Sequence, residues 1–103
     1  MTFTPGSGIT SNLLIRRNNR VVTVYGYLTS TSAFGENQLL GTVESGNLPA
    51  DTCRFVAGVA NQAYSVGDIA YCAIGTNGEI RITAKSGNTY KVCYFSASYI
   101  VQT

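Results

Sequence analysis

The sequence predicts an all-β domain, an antiparallel β-sandwich of jelly-roll type. Three observations predict it. Apolar residues alternate with period 2 from Leu13 to the C-terminus. The alternating runs are short and separated by Gly- and Asn-rich turns, of which Asn77-Gly78 is the clearest hairpin signal. No window holds an apolar stripe at i, i+3, i+4, i+7 with capping residues, so roughly half the chain reads as strand and at most one short turn as helical.

Taken in order, residues 1–12 are rich in Thr, Ser, Gly and Asn, show no periodicity, and read as a flexible lead-in or linker. The β domain then spans residues 13–103. Its first hairpin turns at Asn18-Asn19, because Asn tolerates the positive φ that a tight turn demands. Residues 29–37 form a polar loop before a strand at Leu39–Val43. A connection through Pro49 follows, since proline has no N–H to give to a central ladder. Strands are then expected at Cys53–Ala60, Asp68–Ile74 and Glu79–Ala84, with a loop at Asn61–Gly67 and a turn at Lys85–Thr89, before a long final strand.

Several strands carry apolar side chains on both faces. In Arg20–Leu28 the split is Val22, Val24 and Leu28 against Val21, Thr23, Tyr25 and Tyr27. In Thr89–Val101 it is Val92, Tyr94 and Ile100 against Cys93, Phe95, Tyr99 and Val101, with Tyr71 and Tyr94 read as core or interface. Only 12% of residues are charged, about half the usual fraction, while 45% are hydrophobic. A small domain cannot bury both faces of its strands alone, which points to an oligomer.

Composition also excludes. A net charge of +2 from seven basic and five acidic residues is too weak to name nucleic acid or an anionic membrane as partner. No apolar run is long enough to span a bilayer as a helix, so no membrane insertion is expected, and the N-terminus lacks the regions of a signal peptide. Arg16, Arg17 and Arg20 cluster at the first hairpin. They read as a charged tip that keeps an edge soluble, against the alternative of an OB-like barrel with Tyr25 and Tyr27 stacking bases. Cys53, Cys72 and Cys93 fit no zinc spacing and read as buried, reduced thiols, the rival being one disulfide plus a free thiol.

The chain has no histidine, which removes the commonest general base and metal ligand. A carboxylate pair from Glu36, Glu44, Asp51, Asp68 and Glu79 is the remaining catalytic option, but each acid is explained by a turn or a solvent face. No enzyme, cofactor or metal is expected. Seven tyrosines and four phenylalanines beside loops rich in Asn, Ser, Thr and Gln suit carbohydrate, because a ring covers a sugar's C–H face while amides and hydroxyls satisfy its hydroxyls. The candidate contacts are Phe34 and Asn37 in residues 31–37, and Asn61, Gln62 and Tyr64 in residues 61–67, the two loops least explained by turn formation.

Four segments follow one another in a telling order: Asn19-Arg-Val-Val-Thr-Val-Tyr-Gly26, Gly41-Thr-Val-Glu-Ser-Gly-Asn-Leu-Pro49, Gly78-Glu-Ile-Arg-Ile82, and the closing Tyr90–Val101. Over residues 13–103 the chain resembles the C-terminal head domains of tail-fibre and baseplate receptor-binding proteins from phages of Gram-positive hosts. It departs in the residues inserted before Pro49 and in lacking the Trp or His common in sugar pockets. The resemblance implies a homotrimeric β-sandwich head on the virion tail, associated with other tail or baseplate proteins and binding host cell-surface saccharide without catalysis. A structural knob that trimerises or caps a fibre is the alternative, with a trimeric jelly roll outside phages as a third reading.

Overall fold

The computed structural model describes residues 3–61, 67–85 and 90–102. Its strands are β1 (Phe3–Pro5), β2 (Ile9–Asn18), β3 (Val21–Ser30), β4 (Leu39–Val43), β5 (Cys53–Ala60), β6 (Asp68–Ile74), β7 (Glu79–Lys85) and β8 (Val92–Ile100), with one 3₁₀ turn at Ser45–Asn47. All pairings are antiparallel and belong to one eight-stranded sheet in the order β1-β4-β7-β6-β5-β8-β3-β2. Instead of two sheets facing each other, a single ladder curls back on itself. Its two edge strands are neighbours in sequence, and residues 6–8 join them, so the sheet comes close to a barrel.

That closure corrects the reading of the first twelve residues. β1 pairs with β4 through Phe3–Val43, Thr4–Thr42 and Pro5–Gly41. The Gly6 N–H donates to the Leu40 carbonyl at 2.9 Å, and Ile9 is buried. A short edge strand shows almost no period-2 pattern, so its polar composition hid it.

The first hairpin turns one residue later than expected, at Asn19-Arg20, with Asn19 at φ 58°. Gly26 in β3 is held at φ 126°, where a Cβ would lie 2.3 Å from the Asn12 carbonyl oxygen and 3.1 Å from the Leu13 Cα, so only glycine lets β2 close on β3 here.

The inner face carries the core. Val22, Val24, Leu28, Leu40, Ile74, Ile80 and Ile82 are fully shielded from solvent. Phe55 and Phe95 pack with ring centroids 4.6 Å apart, tilted by 35°. β8 keeps its expected alternation except at Val92, which is buried rather than outward. At the end opposite the loop of residues 31–37, Arg17 donates to the carbonyls of Asn19 (2.8 Å) and Gly46 (3.1 Å) and to the Asn47 side chain (3.2 Å). The Tyr99 hydroxyl donates to the Asn47 carbonyl at 2.6 Å. Arg17 of the hairpin cluster therefore fastens the 3₁₀ turn to the barrel end, while Arg16 donates to the Tyr25 hydroxyl at 2.9 Å.

Candidate functional site

Four backbone hydrogen bonds gather one end of the barrel. Thr31 N–H donates to the Gly8 carbonyl at 3.0 Å, Ser30 N–H to Lys91 at 2.7 Å, Lys91 N–H to Ala60 at 3.1 Å, and Phe34 N–H to Tyr90 at 3.0 Å. Residues 31–37, Asn61 and the start of β8 thus share that end. Asn37 is exposed at φ 58°, and its carbonyl accepts from the Arg81 guanidinium at 2.9 Å. Asn61 is exposed at the end of β5. Gln62 and Tyr64 lie outside the described residues.

Phe34 is a correction. It is 3% exposed and belongs to the hydrophobic core, so it offers no ring to a ligand. The loop folds inward at this point because its N–H is tied to Tyr90 and burying an aromatic ring stabilises the fold by about 2 kcal/mol. Asn37 and Asn61 stand at the same end without it.

The larger surface feature is on the outer side of the sheet. Leu14, Val21, Val56, Ile69, Tyr71, Tyr94 and Ile100, each 37–58% exposed, all point outward from β2, β3, β5, β6 and β8. Tyr71 and Tyr94, read from sequence as core or interface, are therefore not core. The Tyr94 ring lies across Gly58, its directly paired neighbour, where a Cβ would come within 2.3 Å of the ring. An open hollow of about 310 Å³ lies among Arg54, Phe55, Val56, Tyr71, Cys72 and Thr83. A register shift in the β6–β7 ladder between Tyr71 and Cys72 opens it, and the Thr83 hydroxyl donates to the Tyr71 carbonyl at 3.0 Å. The hollow was missed in the sequence because Arg54, Val56 and Tyr71 meet only after β5 and β6 pair.

The titrating groups are structural. The Cys93 thiol is pushed well up by its hydrogen bond to Cys72 and by burial, and burial also raises Cys53. All three cysteines are free, with Cys53 half-buried rather than buried. Burial raises the Tyr99 hydroxyl to about 12. Among the described residues no three His, Cys, Asp or Glu side chains converge as metal ligands. Among the described residues no helix is long and apolar enough to cross a membrane.

No protein-family profile matches the chain, and no curated protein matches it. Among solved structures, the crystal structure of the head domain of lactococcal phage bIL170 superposes with a TM-score of 0.71. The match covers 98% of this chain and 96% of that one, at 17% sequence identity. The chain has the fold of a lactococcal phage receptor-binding head domain.

Proposed function

We propose that this chain is the non-catalytic head of a phage tail-fibre or baseplate protein, and that it binds host cell-surface saccharide as a homotrimer on the virion tail. The observation that carries the reading is a likeness to a receptor-binding head that spans nearly the whole of both chains. Apolar side chains on the outer side of five strands support the oligomer. The end of the barrel with Asn37 and Asn61 is the proposed saccharide surface, because exposed amides on a rigid β scaffold match sugar hydroxyls. Gln62 and Tyr64 remain proposed saccharide contacts.

The test is competition. Purified protein is added to host cells or wall polysaccharide, and its binding is compared with that of the double variant Asn37→Ala, Asn61→Ala. Weakened binding by a variant that keeps the parent's assembly state supports this end as the site, and unchanged binding overturns it. A parent that binds no wall glycan hands the function to a structural knob that caps a fibre.

A further inference from the structure

Two outer-surface features are complementary in shape and in charge. One is the hollow beside Arg54, Val56 and Tyr71, whose floor and walls are mostly apolar. The other is a ridge made by Val21 and Ile100, directly paired across β3 and β8 and 43% and 58% exposed. Asp51 stands beside the ridge, because the Ala50 N–H donates to the Ile100 carbonyl at 2.8 Å. Arg54 and Asp51 are both exposed, and neither side chain makes a hydrogen bond or ion pair among the described residues.

We infer that the hollow and the ridge are the two halves of one interface between copies of this chain: Ile100 of one copy seats in the hollow of the next, and Asp51 of the first faces Arg54 of the second. The inference rests on the homotrimer reading and adds which surfaces meet. A branched aliphatic side chain at more than half exposure and an apolar-lined hollow each leave apolar area in water, and one contact removes both. An unpaired cation at the hollow and an unpaired anion at the ridge fix the register and reject a hollow-to-hollow contact, which would oppose two arginines. Because the sheet curls, the β5–β6 and β8–β3 surfaces face different directions. A contact using one of each is head-to-tail and leaves the other two free, so three copies close a ring when each contact rotates the chain by about a third of a turn.

The test is a charge swap, with Arg54→Asp, Asp51→Arg and the double variant compared with the parent by sedimentation over a concentration series. Circular dichroism checks that each is folded. Each single variant opposes like charges at every contact and is expected to dissociate at roughly tenfold or more higher concentration, while the double variant returns to within about threefold of the parent. Single variants that assemble as the parent does, or a double variant no better than the singles, overturn the assignment while leaving a trimeric parent standing. A parent that is monomeric at micromolar concentration overturns the trimer reading and this inference together. A second arm compares Ile100→Cys, Tyr71→Cys and the two together in a Cys53→Ser, Cys72→Ala background. With Cys72 also removed from the hollow, mild oxidation is expected to link copies only when both new cysteines are present. No link with both, or a link with either alone, overturns the contact.

Discussion

Replacing Phe34 by alanine removes a ring packed in the core and is expected to cost about 3–5 kcal/mol, read as a shift in the urea midpoint. A loop ring that served only a ligand would leave that midpoint unchanged. Tyr99 gives a pH signature. Its ordinary value near 10 rises to about 12 in the folded chain, chiefly through burial. The folded state therefore holds the proton more tightly, and the stability from this group is full below about pH 10 and declines as pH rises from there toward about 12. Between pH 9 and 11 the parent's urea midpoint is expected to fall more steeply than that of Tyr99→Phe, which also loses about 1 kcal/mol at neutral pH with its bond to the Asn47 carbonyl. Thiol labelling separates the cysteines. In the native protein half-buried Cys53 is expected to react slowly while buried Cys72 and Cys93 do not, and all three titrate after denaturation without reductant.

At the scale of the element, the β2–β3 hairpin depends on two unusual backbone positions. Gly26→Ala is expected to destabilise by about 2 kcal/mol or more, because the added methyl meets the β2 backbone and the residue is forced to positive φ. Asn19→Ala is expected to cost about 1 kcal/mol and Asn19→Gly almost nothing, since only the left-handed turn conformation is at stake. Thermal unfolding of the three variants checks both. The hairpin itself was legible from Asn18-Asn19, with the turn displaced by one residue, because both asparagines permit the geometry and only the pairing with β3 chooses between them. β1 was not legible: three residues of mixed polarity at an edge carry no period. Its existence follows from β4 having a free edge that the N-terminal residues can reach.

At the scale of the whole molecule, the outer side of β2, β3, β5, β6 and β8 holds every large hydrophobic side chain seen exposed among the described residues. Light scattering is expected to give a trimer at micromolar concentration, and a monodisperse monomer would refute it. If each copy carries one weak saccharide site, a trimer present in several copies on a virion would hold a cell far more tightly than one site holds one glycan.

The sequence by itself determined the all-β class, most strand positions and the two-sided character of β3 and β8, but not that the strands form one curled sheet instead of a sandwich. Those properties are local: a period of 2 and a turn residue act within a few neighbours along the chain. Only the tertiary structure decided that the strands share one curled sheet, that Phe34 turns into the core, and that Arg54, Val56 and Tyr71 border a hollow. These depend on which strands lie side by side and on how far the sheet bends before its edges meet, and both are set by contacts between residues far apart in the sequence.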